Sequence, residues 1–214
     1  MIRIVHFSDW HDQWRNLPSA DLYLCTGDML RNYPYYWWIT EAEEVRCQGE
    51  WIKQQKDSGG MRKYLGSPDA PLVIVRGNHD FVDLGPLFDG EYFEVSHDST
   101  RVVEYCGLKI GGFRGVPPIG GQWSDEYPRG EMKRIIDLVP EVDILVSHAA
   151  PTNILSDCFG SVSYFNWLEE RSSQQKHLPK LCCFGHIHES GPQREDRFGV
   201  IFSNASCGFC VIDL

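Results

Sequence analysis

Short runs of apolar, partly β-branched residues recur along the chain, with polar turns between them. Runs of this length favour strands buried on both faces of a layered sheet. The predicted strands are Ile2–Phe7, Asp21–Cys25, Leu72–Val75, Asp143–Val146 and Leu181–Phe184. A hairpin and two closing strands are predicted at Val102–Tyr105 with Leu108–Phe113, and at Val200–Ser203 and Phe209–Leu214.

Longer segments between these runs predict helices, because they lack interior proline and contain almost no glycine. They are Tyr35–Lys56, Glu131–Val139 and Val162–His177. Two stretches rich in glycine and proline, Asp57–Pro71 and Val116–Arg129, predict loops. Alternating strands and helices followed by hairpin-like segments predict an α/β sandwich in which helices cover sheets.

Length and charge narrow the functional classes. The chain has 214 residues and shows no repeat or linker, so we expect one domain over residues 1–214. Its formal net charge of −10 argues against a broad nucleic-acid-binding surface, which needs a basic stripe. An anionic substrate remains compatible with this charge, because bound divalent cations would reverse the local sign.

The N-terminal sequence and the cysteines bear on the compartment. The chain enters an apolar strand directly from Met1, without a signal-peptide pattern, and no apolar run is long enough to span a membrane. We therefore expect a cytoplasmic protein with no membrane partner. Of its eight cysteines, Cys207 and Cys210 form a lone CxxC, for which we expect a structural role.

Five polar clusters each follow a predicted strand. They are Asp9-Trp-His11-Asp12, Gly27-Asp28, Gly77-Asn78-His79-Asp80, Ser147-His148 and Gly185-His186-Ile-His188. Loops at the carboxyl ends of strands in α/β sheets converge on one crevice, so these side chains are expected to meet. Glycine before Asp28, Asn78 and His186 allows tight turns there.

The residue types of the clusters predict a metal centre. Imidazoles, carboxylates and one amide suit divalent Mn, Fe, Zn, Co or Ni, and the absence of thiolates argues against a structural zinc site. A single DxH or GD pair is a weak signal, whereas all five clusters in order form a specific one. Isolated histidines such as His6, His97 and His177 are expected in the core or on the surface.

This ordered set resembles the motifs of the calcineurin-like metallophosphoesterases, which are DxH, GD, GNH(D/E), a GH-type histidine and GHxH. The resemblance extends from Asp9 to His188, nearly the whole chain. It implies a four-layer α/β/β/α sandwich, with two facing mixed sheets flanked by helices. It also implies a phosphoesterase that uses two divalent metal ions, with Mn expected first.

The resemblance assigns a role to each motif residue. One metal would be held by Asp9, His11, Asp28 and His188, and the other by Asp28, Asn78, His148 and His186. His79 would assist the leaving group during in-line attack by a hydroxide that bridges the metals, and Asp80 would orient His79 by a hydrogen bond. Two positions depart from the pattern: Ser147 replaces a usual glycine, and Asp12 stands where many members have glycine.

Substrate contacts are predicted from the loop Gly112–Trp123. Arg114 could pair with a phosphate oxygen and Trp123 could stack on a base or aryl group, but a turn arginine and a core tryptophan are equally open. Trp10 could either line the pocket or pack inward. For the aromatic stretch Tyr33–Trp38 we expect core packing, with a ligand platform or subunit contact as alternatives.

Several activities share such a centre. A non-catalytic metal-binding scaffold, a protein Ser/Thr phosphatase and a nuclease are the alternatives to a small-molecule phosphoesterase. The chain keeps His79 and every expected ligand, which argues against a scaffold. Its modest length and acidic balance favour a small phosphodiester or phosphomonoester, such as a nucleotide, as the substrate. The sequence leaves the oligomeric state open.

Overall fold

The computed structural model describes residues 1–32 and 40–214. Within these residues the strands form two sheets. The first has the order β11-β1-β2-β3-β4, with β1 Arg3–Ser8, β2 Leu22–Cys25, β3 Leu72–Ile74, β4 Tyr92–Glu94 and β11 Gly208–Asp213. The second has the order β5-β6-β7-β8-β10-β9, with β5 Val102–Tyr105, β6 Leu108–Phe113, β7 Ile144–Ser147, β8 Leu181–Phe184, β9 Gln193–Arg197 and β10 Val200–Asn204.

Both sheets are mixed, and their antiparallel strands lie at the edges. β1 to β4 run parallel and β11 pairs with β1 antiparallel. In the second sheet β6, β7, β8 and β10 run parallel, while β5 and β9 pair antiparallel at its edges. The central strands β2, β7 and β8 are buried along their whole length, which explains their continuous apolar sequences.

Three helices cover the outer faces of the sheets in the described part of the chain. They are α1 Glu41–Asp57, α2 Arg129–Asp137 and α3 Val162–Ser173. α1 begins at a capping box, in which the Thr40 side chain accepts from the Glu43 amide and the Glu43 carboxylate accepts from the Thr40 amide. α3 begins at Ser161, whose hydroxyl accepts from the Tyr164 amide.

Three apolar clusters separate four layers. One, which includes Ile4, Leu24 and Val146, fills the space between the two sheets. A second packs α1 through Ile52 against the outer face of the first sheet, and a third packs α2 and α3 against the second sheet. The predicted α/β/β/α sandwich with two mixed sheets is therefore confirmed.

The predicted elements differ from the structure mainly at edges and ends. The short edge strands β4 and β9 were not predicted, because β4 has three residues and β9 consists of polar residues only. α3 ends at Ser173 instead of His177, and Gln175 has a left-handed backbone. The predicted helix start at Tyr35 and the aromatic stretch Tyr33–Trp38 lie outside the described residues. No helix among the described residues is long and apolar enough to span a membrane.

A series of buried hydrogen bonds connects the two sheets beneath the loops that carry the five polar clusters. His6 of β1 hydrogen-bonds through Nδ1 to the Ser203 hydroxyl of β10 at 2.8 Å and through Nε2 to the Thr26 hydroxyl at 2.9 Å. His6 has no exposed surface, and burial lowers its pKa to about 3. This agrees with the expectation of a core histidine.

The neutral His6 predicts a loss of stability in acid. The unfolded chain takes up a proton on His6 below its ordinary pKa of 6.5, whereas the folded chain stays neutral there until about pH 3. The stabilisation is therefore complete above pH 6.5 and is lost as the pH falls. Urea unfolding of metal-free protein should show the wild type losing about 1 kcal/mol per pH unit more than His6→Gln between about pH 6 and 4. Parallel pH profiles for the two proteins would contradict this origin.

Candidate metal centre

The five polar clusters lie in loops at the carboxyl ends of β1, β2, β3, β7 and β8. Backbone hydrogen bonds tie these loops together: the Asp9 amide donates to the Gly27 carbonyl at 2.9 Å, and the His11 amide to the Asp28 carbonyl at 3.0 Å. The Gly185 amide donates to the His148 carbonyl at 3.1 Å. The loops of both sheets therefore form one edge of the sandwich, as the motif positions predicted.

Four of the expected ligands have a left-handed backbone conformation, which residues other than glycine rarely adopt. The φ angles are 58° at Asp9, 44° at His11, 53° at Asp28 and 73° at His186. Such conformations cost on the order of 1 kcal/mol each and occur where the surrounding structure enforces them. Here the hydrogen bonds between the loops enforce the left-handed conformations. These conformations direct the ligand side chains toward one another.

The first group of potential ligands consists of Asp9, His11 and His188, with ligand atoms that all lie within 4.8 Å of one another. His188 Nε2 lies 3.1 Å from Asp9 Oδ1 and 3.4 Å from His11 Nε2. Asp9 is buried and also accepts the His186 amide, while His188 is exposed. This side of the site is therefore open to solvent.

The second group consists of Asp28, His148 and His186, again with ligand atoms within 4.8 Å of one another. Asn78 adjoins it, with Oδ1 3.1 Å from His148 Nε2. His148 is fully buried, and its Nδ1 donates to the Thr26 carbonyl at 2.6 Å. That hydrogen bond fixes the proton on Nδ1 and leaves Nε2 directed toward the carboxylate, as in metal-binding histidines.

One oxygen of Asp28 lies near a ring nitrogen of each group. Asp28 Oδ2 lies 3.2 Å from His148 Nε2 and 4.0 Å from His11 Nε2. Burial alone would raise the pKa of the Asp28 carboxyl, but His148 and His79 hold it well below its usual range. Burial would likewise lower the pKa of His148, but Asp28 raises it to about 10. A cation that binds here must displace the His148 proton.

The donor set fits divalent metal ions. It supplies imidazole nitrogens and carboxylate and amide oxygens, which suit Mn, Fe, Zn, Co and Ni. The ring nitrogens of His11 and His188 face each other at 3.4 Å beside a carboxylate, an arrangement that a shared cation satisfies. The seven residues expected as ligands therefore lie near one another, as two groups of three with Asn78 beside the second group.

The His79 ring lies close to Asp28 and packs against the aromatic ring of Trp123. Its Nε2 is 4.0 Å from Asp28 Oδ2, and its Nδ1 hydrogen-bonds to Asn32 Oδ1. The Trp123 ring lies against the His79 ring, with centroids 4.3 Å apart. The Ser124 amide donates to the Asn78 carbonyl at 2.9 Å and so holds the loop of Trp123 in place. Trp123 is half-buried beside His79, where the sequence left both a stacking role and core packing open.

These features agree with a comparison of the sequence with known families. The sequence model of the calcineurin-like phosphoesterase family matches residues 2–190. The chain belongs to this family. Membership supports a metal-dependent phosphoesterase, a hydrolase that acts on phosphate esters.

Two curated relatives are longer than this chain. Human metallophosphoesterase domain-containing protein 1 is 25% identical over 217 residues, covering 87% of this chain and 60% of the human protein. A probable rhamnogalacturonate lyase C of Emericella nidulans is 23% identical over 201 residues, covering 88% of this chain and 17% of the lyase. The chain thus spans less than two thirds of either relative.

Solved structures give weaker likenesses. A phosphopantetheinyl hydrolase from Mycobacterium tuberculosis has a TM-score of 0.44 at 10% identity, covering 96% of this chain and 89% of that one. A Termus thermophilus sulfate thiohydrolase has a TM-score of 0.45 at 12% identity, covering 95% of this chain and 51% of that one. Neither likeness identifies a substrate for this chain.

Asp80 occupies a different place from the one expected. Its buried carboxylate accepts backbone amides on both oxygens, and the donors are Gly77, Asp28, Met29 and Leu30. The His79 ring nitrogen Nδ1 is instead occupied by Asn32. A buried carboxylate needs several donors, and the two turns of the site supply them. Asp80 therefore fixes the Asp28 loop instead of orienting His79.

Arg114, for which the sequence left a phosphate contact and a turn position open, forms a buried ion pair. Its Nε and Nη2 donate to Asp125 Oδ2 at 3.0 and 2.7 Å, and the arginine is 8% exposed. Arg76, which precedes the GNHD motif, lies 3.4 Å from the same oxygen. A buried guanidinium requires such a partner. Arg114 thus anchors the Trp123 loop, and the pairing accounts for its charge without a substrate.

The remaining open positions are placed by their contacts. Trp10 packs inward, because it is 3% exposed and its indole donates to the Gly208 carbonyl at 3.0 Å. Asp12 has a left-handed φ of 68°, which explains why glycine suits this position, and its carboxylate lies 3.6 Å from Arg31 Nε. The Ser147 hydroxyl donates to the Ala149 carbonyl at 3.0 Å and so stabilises its own turn.

The two cysteines of the CxxC sequence differ in exposure. Cys207 is exposed and Cys210 is buried, and both are free thiols.

Asn32 contacts the His79 ring and Gln48 contacts the His79 loop, and the sequence interpretation missed both. Asn32 follows the GD motif by four positions, and no motif pattern marked it. Gln48 lies on α1 with Glu44 and Ile52, at the four-residue spacing of the buried face. A polar residue on the inward face of a predicted helix was the available signal, since such a residue needs buried hydrogen-bond partners.

Proposed function

We propose that this chain hydrolyses a small phosphodiester or phosphomonoester, with two divalent ions and Mn²⁺ as the preferred one. The observation that carries the proposal is the position of Asp28 Oδ2. This oxygen lies within 4.0 Å of a ring nitrogen from each ligand group and also of His79 Nε2. A single carboxylate thus connects both potential metal positions to the histidine expected to act in catalysis.

The residues that would hold the ions are Asp9, His11, Asp28 and His188 for one, and Asp28, Asn78, His148 and His186 for the other. When bound, such ions polarise phosphate oxygens and lower the pKa of water in in-line displacements. The chain contributes the geometry: the Thr26 carbonyl orients His148, and the interloop hydrogen bonds hold Asp9 and Asp28. The exposed side at His188 leaves room for a substrate.

His79 is suited to assist the leaving group. Asn32 engages Nδ1, so the second proton of the imidazolium form resides on Nε2, which faces the ligand groups. Burial lowers the pKa of His79, and the Asp28 carboxylate opposes this change. Protonated Nε2 would donate a proton to the departing oxygen. General acids of this kind typically increase the reaction rate by about 100-fold or more.

Trp123 supports a small substrate with an aromatic group. Its half-buried ring lies against His79, beside the position that we assign to the leaving group. An aryl or nucleoside moiety could stack there, because stacking tolerates different ring systems. The net charge of −10 argues against extended nucleic acid as the substrate.

The test is hydrolysis of bis-p-nitrophenyl phosphate and p-nitrophenyl phosphate by protein stripped of metal and then given Mn²⁺, Fe²⁺, Zn²⁺, Co²⁺ or Ni²⁺. We expect turnover that depends on metal and falls at least about 100-fold in Asp28→Asn, because removal of even indirect metal contacts has effects near this size. The exposed Asp89→Asn is the matched control and should match the wild type. The faster ester identifies the substrate class.

Two results would contradict the proposal. Absence of metal binding would exclude the metal centre. Stoichiometric binding without turnover of either ester would instead favour the non-catalytic scaffold. His79→Ala is expected to change p-nitrophenyl ester turnover little, because nitrophenolate leaves without a proton donor.

A further inference from the structure

Gln48 is a fully buried polar side chain on α1, outside the motifs of the metal centre. It has no exposed surface, and its neighbours on the inward face of the helix are Glu44 and Ile52. A buried amide group is costly unless its donors and its acceptor are hydrogen-bonded. The partners of Gln48 lie on the loops that carry the site.

The Gln48 amide contacts the backbone that directly follows the His79 side chain. Its Nε2 donates to the His79 carbonyl at 2.7 Å, and its Oε1 accepts from the Phe81 amide at 2.8 Å. The same Nε2 lies 3.4 Å from the Arg31 carbonyl. One side chain thus connects the loop of His79 to the loop of Asn32, whose side chain hydrogen-bonds to the His79 ring.

The opposite side of this loop is fixed by the metal centre. The His79 amide donates to Asp28 Oδ1 at 2.8 Å, and the Gly77 amide donates to Asp80 Oδ2 at 2.9 Å. These bonds set the position of the loop relative to the ligands. The His79 carbonyl and Phe81 amide face α1 instead, where Gln48 satisfies both.

We propose that Gln48 is a positioning residue that aims the His79 imidazole at the leaving-group oxygen while taking no part in metal binding. It acts through His79 and Asn32, and it rests on the proposed role of His79 in the hydrolysis. Loss of the Gln48 hydrogen bonds frees the 79–81 backbone on the helix side. The ring then misaligns, although the seven metal ligands keep their own contacts.

The first experiment compares leaving groups. Gln48→Met removes the amide at similar volume, and Gln54→Met changes an exposed glutamine of the same helix as a control. Phenyl and p-nitrophenyl members of the ester class that the wild type hydrolyses are assayed with Mn²⁺. We expect kcat for the phenyl ester to fall about 10-fold or more in Gln48→Met, with p-nitrophenyl turnover and metal stoichiometry unchanged.

Gln48→Asn is a milder variant if Gln48→Met does not fold. It keeps the amide group but is shorter by one methylene, so its hydrogen bonds to the His79 carbonyl and the Phe81 amide are weakened, and we expect a smaller fall confined to the phenyl ester. An equal fall for both esters together with loss of metal would show a merely structural residue. Unchanged phenyl ester turnover in a folded variant would also overturn the proposal.

A second readout is independent of catalysis. In metal-free, ¹⁵N-labelled protein, the His79 ring nitrogens are identified by their absence in His79→Ala. The wild type should show the proton of neutral His79 on Nδ1, as the Asn32 contact requires, and Gln48→Met should show a mixture of tautomers. An unaltered tautomer would overturn the positioning role. Failure of the wild type to hydrolyse any ester would refute the proposed function while leaving this spectroscopic test valid.

Discussion

Gly185→Ala is expected to abolish the metal centre, although it adds a single methyl group. A Cβ at Gly185 would lie 2.1 Å from Ser8 Oγ and 2.3 Å from Asp9 Oδ2, far inside van der Waals contact. The Asp9 carboxylate is buried and cannot move without leaving the His186 amide and His188. We expect metal-dependent turnover to fall by at least about 100-fold, and stability by about 3 kcal/mol. Ester hydrolysis, metal stoichiometry and urea unfolding measure these effects.

Gly49→Ala is the matched control, because a Cβ there meets no atom within 4 Å. Gly49 is exposed within α1, so alanine should stabilise the chain by about 1 kcal/mol and leave hydrolysis unchanged. Adding Ser8→Gly to Gly185→Ala removes one clash and retains the one with Asp9. The double variant should regain part of its stability but remain unable to bind metal. Metal binding by Gly185→Ala itself would contradict the argument.

The Gly185 contact shows what the sequence could and could not predict. Glycine before His186 indicated a tight turn, and the motif order indicated that the loops converge. That Gly185 packs against Ser8 and Asp9 depends on how the two sheets face each other. Strand periodicity gives the composition of each sheet face but not the distance across the sandwich. The convergence of the motif residues was therefore predictable, whereas the packing that holds their loops together was not.

The sequence also did not predict the partners of buried polar side chains, several of which are backbone groups. Motif patterns specify which residue types meet a metal or a phosphate, but a buried amide or carboxylate can satisfy any exposed backbone group nearby. Gln48 and Asp80 both bond to loop backbone, and Arg114 bonds to Asp125, so their partners follow from the fold. Edge strand β9 was missed for a related reason, because its polar residues form a strand only by pairing with β10.

Asp80→Asn is expected to destabilise the chain strongly, even though the two side chains have the same shape. Asp80 Oδ2 accepts from Asp28 and Gly77 at 2.7 and 2.9 Å, and Oδ1 accepts from Met29 and Leu30 at 3.0 Å each. Asparagine has one acceptor oxygen, so two buried amides would face an NH₂ group. Each unsatisfied donor costs about 1–3 kcal/mol, which predicts a loss of about 2–6 kcal/mol.

Urea unfolding of metal-free protein at about pH 8 measures this loss, because burial and the Asp28 carboxylate raise the pKa of Asp80 to about 7. Above that pH the folded wild type has the ionised carboxylate that accepts all four amides. Asp83→Asn, at a side chain that is 71% exposed, should change stability by less than about 1 kcal/mol.

The outcome also decides between two roles for Asp80. If Asp80 oriented His79, Asp80→Asn would preserve stability and metal affinity and would slow only esters with poor leaving groups. Because Asp80 instead holds the backbone of Asp28, we expect metal affinity to fall together with stability, and turnover of phenyl and p-nitrophenyl esters to fall alike. Gln48→Met should show the opposite pattern, since its contacts lie on the far side of the same loop. The two variants together separate the residue that places the metal ligands from the residue that aims His79.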